Sequence, residues 1–503
     1  MGFFDKKPDH PLADIKTAQQ LIQDLPKNDA LKSLLEISDW FESVEQINDF
    51  RADQRFEIVQ LLDDAARPYL AKLVREYYGG TPLAAFQETR IRVALNNFYA
   101  RAAQAYHGLL TDYKNNSKGS AALKAYLPLI TVRGMHALQG KIKCSAAHYE
   151  KVTSAIWGQL AELYTHAESQ KYADTPVKLY ADSAFDITVR QKFLIVLMWY
   201  APVASRLDPA RTHIAERLTE YWGTHFLIDS KMTEDSVICF NLAQPDMPSR
   251  VKAESAMHSD MRFLSAENID RHIERLFKTL ESNSVPDELA LDKVYEAVVV
   301  GEVLRSLSAF WTNPPPVRRN ARHQIKFKLG VVQGFVNIAM NVAAGSVPSE
   351  TSWDAEDISA TGFSCVLQAK NAGGIKVGSL IGIQPEKIPH YGAGVVRRIN
   401  RDELGNLHVG IEMLSNQVDY APLRIKRDDA NIQQGLLLKR SQDQKGQVRL
   451  LLGEGDFSMS HSLHTQYEGN DCLLIPIALL EKGSDYELAS YRMVIEEAAD
   501  ETR

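Results

Sequence analysis

The sequence predicts a multidomain α plus β protein, with an N-terminal all-α helical bundle region followed by an antiparallel β-barrel and extra C-terminal strands. Apolar residues recur with the period of an α-helix up to about residue 312 and with the alternation of β-strands beyond it. Pro314, Pro315 and Pro316 separate the two patterns, and three successive prolines cannot continue a helix. The length of 503 residues has room for about three domains at ~150 residues each.

The helical region consists of amphipathic segments that each bury one face. In the first segment, Ile15, Ala18 and Ile22 form one apolar stripe, and Pro26 ends the helix. The other segments are residues 31–44, 56–66, 82–113, 149–167, 210–222, 265–281 and 286–311. The apolar run 193–201 is shorter than the about 20 residues that a membrane helix needs, so we interpret it as a buried core segment.

Two features divide this region further. The loop-rich stretch 171–188 predicts a boundary between a helical domain, residues 1–175, and a second helical subdomain, residues 176–312. Short stretches of β-branched and aromatic residues at 225–228 and 237–242 predict a small hairpin inside the second subdomain.

Beyond the prolines, short strands separated by turns predict an antiparallel barrel. Its predicted strands are residues 324–338, 362–368, 379–383, 394–399 and 408–413. Strands at 436–439, 447–452, 471–480 and 486–494 continue the pattern. The predicted division is a linker with an arginine motif at 313–323, a barrel at 324–430, a β-rich extension at 431–495 and an acidic tail at 496–503.

Composition excludes several classes of function. Lys plus Arg number 57 against 64 Asp plus Glu, and the net charge of -7 gives no electrostatic case for binding DNA or RNA. The four cysteines are scattered without a Cys-x-x-Cys pair, so neither a disulfide framework nor a zinc site is predicted. The N-terminus lacks the apolar core of a signal peptide. We therefore expect a cytoplasmic protein with no membrane span, no metal and no cofactor.

The segment after the prolines is a local cation in an acidic protein. Residues 317–328 contain three Arg, two Lys and one His, with no acidic residue. Guanidinium groups grip phosphate and the O6 and N7 edge of guanine through paired hydrogen bonds, and they stack on bases. The segment therefore suits a guanine nucleotide. The alternative interpretation is a solvated linker or an electrostatic cover for a sheet edge.

A second motif favours the nucleotide. Arg318 and Arg322 form an Arg-x-x-x-Arg motif, and 35 residues after Arg322 the chain continues with Asp357, Ser359 and Gly362 in an Asp-x-Ser-x-x-Gly motif. Together the motifs resemble the two-part signature of PilZ domains, small β-barrels that bind the bacterial second messenger cyclic di-GMP. The barrel is accordingly expected to be of PilZ type.

The resemblance covers roughly residues 317–420, because the strands at 394–399 and 409–413 are also similar to the second half of the family's barrel. It does not reach the helical region. Residue 317 is Val, and Arg319 follows Arg318 instead of preceding it, so the family pattern favours one bound ligand molecule over a stacked pair.

The resemblance implies a role for each motif residue. The arginines would hold the phosphates and guanine edges, the Asp and Ser would bond a guanine, and the Gly would permit a tight turn into the next strand. A carboxylate accepts from guanine N1–H and N2–H, which Arg cannot do, and glycine allows close backbone approach. The predicted ligand-binding residues are Arg318, Arg319, Arg322, Asp357, Ser359 and Gly362.

The predicted function is that of a cyclic di-GMP receptor that is not an enzyme. The motif begins two residues after Pro316, so we expect the ligand at the joint between helical region and barrel. Binding would change the domain orientation and so act on an unidentified protein partner of the helical region. The alternative is a protein-interaction scaffold with a barrel that does not sense a ligand. No arrangement of a nucleophile and a base predicts catalysis.

Overall fold

The computed structural model describes residues 8–47, 49–252, 258–312, 323–345, 351–359, 361–368, 374–386, 388–427, 430–439 and 446–495. The chain divides into two compact units, Met1–Pro316 and Val317–Arg503. The first is mainly helical and the second is mainly antiparallel sheet, so the predicted fold class is confirmed. The linker with its arginine motif, 313–322, and the acidic tail lie outside the described residues.

Ten described helices form most of the first unit. They are α1 (Ile15–Gln23), α2 (Ala30–Gln46), α3 (Ala52–Tyr78), α4 (Ala85–Lys114), α5 (Leu127–Ala147), α6 (Ser154–Ser169), α7 (Val189–Val203), α8 (Pro209–Tyr221), α9 (Asp270–Glu281) and α10 (Ala297–Thr312). Side-chain caps fix where several of them begin. Asp29 accepts from Lys32 N at the start of α2, and Thr188 and Gln191 form a capping box at the start of α7.

The helical unit has one large hydrophobic core, which extends along the chain from Leu12 to Trp311, and a small separate cluster of Cys239, Met261 and Phe263. The large core includes Tyr172 and Val189, which flank the predicted boundary between two helical subdomains. The polar stretch between them forms a hairpin of β1 (Val177–Lys178) and β2 (Asp186–Ile187) that packs on this core. The prediction of two subdomains is therefore corrected, because turn residues here mark a hairpin of one domain. The interpretation of 193–201 as a core segment is confirmed by the burial of α7.

A small sheet interrupts the helices, but it is not the predicted hairpin. Its strands are β3 (Phe226–Asp229), β4 (Ile238–Asn241), β5 (Ser249–Arg250) and β6 (Met261–Ala266), in the order β3-β6-β4-β5. The two predicted strands both pair with β6 and not with each other. Strand β6 extends to Ala266, which pairs with Phe226 of β3, so the helix predicted from residue 265 begins only at Asp270.

Six strands of the second unit close into a barrel in the order β10-β11-β12-β9-β8-β7. They are β7 (His323–Gln333), β8 (Ser352–Ser359), β9 (Gly362–Leu367), β10 (Leu380–Pro385), β11 (Gly392–Arg401) and β12 (Leu407–Ser415). The predicted strand 324–338 ends early, at Gly334, whose φ of 83° stops the strand. Helix α11 (Phe335–Ala343) follows, with Phe335, Ile338 and Ala339 buried at helical spacing.

The remaining strands form a second antiparallel sheet in the order β13-β14-β15-β18-β17-β16. They are β13 (Gln417–Leu423), β14 (Gln433–Lys439), β15 (Gln447–Leu452), β16 (Leu463–Tyr467), β17 (Asn470–Lys482) and β18 (Glu487–Ile495). The barrel was predicted to extend to residue 430, but it ends at Ser415, because β13 pairs with β14 of this sheet.

Helix α11 packs between the barrel and the second sheet. Its Phe335 and Ile338 share one hydrophobic cluster with Val395 of the barrel and with Leu436 and Leu451 of the second sheet. The two sheets are therefore parts of one folded body. Among the described residues, no helix combines the length and the apolar character needed to cross a membrane.

Candidate functional site on the barrel

The second of the two motifs lies on a hairpin of the barrel. Asp357 and Ser359 belong to the last residues of β8, and Gly362 is the first residue of β9. The structure thus brings these three predicted residues together. The predicted arginines, Arg318, Arg319 and Arg322, lie outside the described residues, and their placement stays a prediction.

Ser359 closes this hairpin. Its Oγ donates to the carbonyl oxygen of Gly362 at 3.3 Å and accepts from the backbone N–H of Thr361 at 3.4 Å. Ser359 and Gly362 are also register partners in the pairing of β8 with β9. The hydroxyl therefore has a local structural contact in addition to any contact with a ligand.

Gly362 is needed for close packing of two strands. It pairs with Glu412 of β12, and a Cβ at residue 362 would lie 2.0 Å from the carbonyl oxygen of Ile411. The predicted reason for glycine was a tight turn into the strand. The structure gives a different reason, which is that β12 passes too close for any side chain.

Four residues on adjacent strands are register partners across the outer face of the barrel, and the two residues at the ends of this row carry opposite charges. Asp357 on β8 is opposite Ser364 on β9, Ser364 is opposite Gly410 on β12, and Gly410 is opposite Arg398 on β11. Register partners on a sheet share a face, and three strand spacings amount to about 14 Å. A Cβ at Gly410 would lie 3.8 Å from Arg398 Nε, so the arginine side chain lies over the glycine.

A cavity of about 320 Å³ covers this part of the barrel. It is lined by Asp357, Ser359, Thr361, Gly362, Phe363, Arg397, Arg398, Gly410, Ile411 and Glu412. The cavity thus places acceptors and donors together, as recognition of a guanine nucleotide requires. Its volume is near the lower end of the range of small-molecule sites.

Sequence reasoning missed Arg397 and Arg398 as site residues. It assigned them to a strand and gave them no role. A signal was present, because two adjacent arginines in an alternating strand cannot both face outward unless the strand is irregular. The pairing of β11 with β12 has a bulge between Val396 and Arg398, which leaves Arg397 as the extra residue.

Arg397 is held by two carboxylates. Its Nε donates to Glu412 Oε2 at 2.8 Å, and its Nη1 and Nη2 donate to Glu481 Oε1 and Oε2 at 2.7 Å each. Partial burial opposes the charge of the guanidinium, but the ion pairs outweigh it, and the pKa of Arg397 is raised above its ordinary value. The group is a fixed cation at the edge of the cavity.

The chain enters the barrel beside this site. His323, which follows Arg322 in the sequence, is the first residue of β7 and pairs with Ile358, and Gln324 pairs with Asp357. Lys326 and Lys328 of the same strand line a neighbouring cavity of about 710 Å³. His323, the residue that follows the arginine motif in the sequence, therefore lies next to the Asp-x-Ser-x-x-Gly hairpin.

Among the described residues, no group of three or more His, Cys, Asp and Glu side chains could hold a metal ion. Cys144, which precedes His148 by four residues in the sequence, is buried in α5, and burial raises the pKa of its thiol to about 12. Such a thiol is unreactive at neutral pH.

Comparison with known proteins adds an observation on the other unit. Residues 16–232 match the family model of the N-terminal domain of the cyclic-di-GMP receptor FimW. The match covers less than half of the chain and lies within the helical unit. A search of curated proteins found no match. The helical unit of this protein is therefore similar to the N-terminal domain of a family of cyclic-di-GMP receptors.

Proposed function

We propose that this protein is a cyclic di-GMP receptor and that the ligand binds on the outer face of a PilZ-type barrel. The observation that carries the proposal is the cavity in which Asp357, Ser359 and Gly362 lie beside Arg397 and Arg398. The similarity of the helical unit to a receptor domain supports the same ligand independently, because it involves a different part of the chain.

Each group has a chemical role in this proposal. The carboxylate of Asp357 accepts from N1–H and N2–H of a guanine, and Arg398 donates to a phosphate or to the O6 and N7 edge. Arg318, Arg319 and Arg322 supply further phosphate contacts from the segment that leads into β7. Ser359 and Gly362 shape the hairpin. None of these roles involves breaking or forming a covalent bond, so the proposed activity is that of a receptor and not of an enzyme.

Calorimetric titration of the full chain with cyclic di-GMP tests the proposal. Cyclic di-AMP is the matched control, because adenine lacks the N1–H and N2–H donors that a carboxylate would read. Binding of cyclic di-GMP alone supports a receptor with a guanine-reading site. If the protein bound neither ligand, the alternative function, a protein-interaction scaffold whose barrel does not sense a ligand, would be favoured.

We also propose that binding changes the orientation of the two units and so acts on a protein partner of the helical unit. The arginine motif follows Pro314, Pro315 and Pro316 in the sequence and carries like charges that repel each other. Two ligand phosphates would remove that repulsion and favour one arrangement of the segment.

Small-angle scattering with and without cyclic di-GMP measures this effect, together with trypsin cleavage after Arg318, Arg319 and Arg322. Protection from cleavage with a changed scattering profile is the expected result. Protection without any change in profile would retain the ligand site and contradict transmission through domain orientation.

A further inference from the structure

Glu481 connects the C-terminal sheet to the candidate site. Glu481 lies near the end of β17, and its two carboxylate oxygens accept from Nη1 and Nη2 of Arg397 at 2.7 Å. Arg397 is the bulge residue of β11 and lines the cavity. A second bulge, between Leu479 and Glu481, interrupts the pairing of β17 with β18 next to the carboxylate. Irregularities on both strands thus aim the two side chains at each other.

The end of the β17–β18 hairpin is held in place by two further side chains, Tyr486 and Asp485. Tyr486 is buried in the cluster that contains α11, and its hydroxyl donates to Glu481 Oε1 at 2.5 Å. Asp485 Oδ2 accepts from the backbone N–H of Phe335 at 2.9 Å and so caps α11, whose preceding residue is Gly334. The position of Glu481 therefore follows from the packing of the whole hairpin end.

The charges of this cluster oppose an anionic ligand. Arg397 carries one positive charge, whereas Glu412 and Glu481 carry two negative charges, so the three groups together are negative. Three N–H donors of Arg397 already go to carboxylate oxygens. A phosphate that approaches Arg397 must therefore share the guanidinium with Glu481 or displace it.

We propose that Glu481 makes the C-terminal sheet part of the receptor site, by competing with the ligand phosphate for Arg397. The inference rests on the proposed function and assigns a role to the sheet formed by β13–β18. Ligand binding draws Arg397 toward the phosphate, weakens its pair with Glu481 and loosens the β17–β18 hairpin end. The coupling is reciprocal, so a weaker Arg397–Glu481 pair makes the ligand bind more tightly.

Glu481→Gln tests this competition because it removes the charge and keeps the shape and one acceptor oxygen. We expect the affinity for cyclic di-GMP to rise about threefold to tenfold at low salt, and the difference to shrink as salt screens the charges. Loss of fold cannot produce this result, since partial unfolding lowers affinity.

The matched control is Asp471→Asn, which makes the same change of net charge at the other end of β17, where Asp471 pairs with Arg427 at 2.5 Å. It should leave the affinity unchanged. Arg397→Gln should weaken binding and abolish the effect of a second substitution at Glu481, as a double-mutant cycle requires. Equal effects of Glu481→Gln and Asp471→Asn, or an unchanged affinity in both, would overturn the inference.

Hydrogen exchange of the turn 483–486 gives a second readout. The amide of Gly483 donates to the carbonyl oxygen of Tyr486 at 2.8 Å, and cyclic di-GMP should speed its exchange in the wild-type protein but not in Arg397→Gln. Unchanged exchange in ligand-saturated wild type would overturn the coupling. If the wild-type protein bound no cyclic di-GMP, the proposed function itself would fail, and the two failures are thereby distinguished.

Discussion

The backbone of Ile411 lies so close to Gly362 that a Cβ at residue 362 would be 2.0 Å from its carbonyl oxygen. The backbones of β9 and β12 are therefore in direct contact at Gly362, which is one of the residues that line the candidate site. The obstacle is a backbone atom of a paired strand, which cannot rotate away as a side chain can. Close packing of the site and stability of the barrel depend on the same residue.

Gly362→Ala should therefore lower both stability and affinity. Forcing the strands apart resembles overpacking, which costs about 1–3 kcal/mol. Gly410→Ala is the control for stability, because the nearest atom to its new Cβ is Arg398 Cβ at 3.5 Å. Thermal denaturation should show a clear decrease for the first variant and little change for the second. Equal melting temperatures would contradict the argument from strand contact.

Asp357→Ala and Arg398→Ala should each weaken cyclic di-GMP binding. Hydrogen bonds to charged groups contribute about 1.5–3 kcal/mol, which corresponds to roughly 10- to 150-fold in affinity. Arg492→Ala, on the exposed side of β18, is the control for general loss of positive charge. Calorimetry on the three variants measures the effect. Retained affinity in both site variants would place the ligand elsewhere.

The fragment 317–503 should bind cyclic di-GMP alone, because it contains both motifs and corresponds to one compact unit. The fragment 1–310 should not bind. The comparison is informative because the helical unit is the part that is similar to a cyclic-di-GMP receptor domain. Calorimetric titration of both fragments with cyclic di-GMP shows which unit binds the ligand. Binding confined to the helical fragment would reject the barrel site.

The helical unit should lose stability on acidification. Burial, together with the positive charge of Lys192, lowers the pKa of His136 to about 3. Between about pH 6.5 and pH 3 the unfolded chain therefore binds a proton that the folded chain does not, so stability falls as the pH falls. The loss from His136 is about 1–2 kcal/mol between pH 7 and pH 5.

Urea denaturation followed by tryptophan fluorescence measures this loss, since all tryptophans except Trp353 lie in the helical unit. His136→Phe should reduce the pH dependence, and His258→Asn, at an exposed position, should not. An unchanged pH dependence in His136→Phe would show that other groups cause the acid instability.

The helical spacing of apolar residues predicted the helices that bury one face. It missed helices that are buried on most sides. Helix α2 follows the prediction because its buried residues recur at helical spacing. In α5 nearly every residue from Leu127 to Ala147 is buried, so its sequence has no polar face that would reveal a period. The predicted segment 56–66 stops shortly before Pro68, whereas α3 continues through this proline to Tyr78.

The candidate site was predictable where a local motif fixes it and unpredictable where sheet register builds it. Asp357, Ser359 and Gly362 lie within six residues of each other, and a hairpin keeps them together. Arg398 reaches the same cavity only because β11, β12, β9 and β8 are neighbours in the barrel. Strand order depends on contacts between distant parts of the chain, which no spacing along the sequence shows.

Helix α11 also bears on how such a protein can evolve. Its buried residues Phe335 and Ile338 pack on Leu436 and Leu451 of the second sheet, and Asp485 caps it. A barrel transferred to another protein by recombination at residue 430 would expose this apolar face to water and lose the cap. A segment that transfers a folded barrel must therefore be longer than the stretch that carries the ligand motifs, and it must include the strands up to β18.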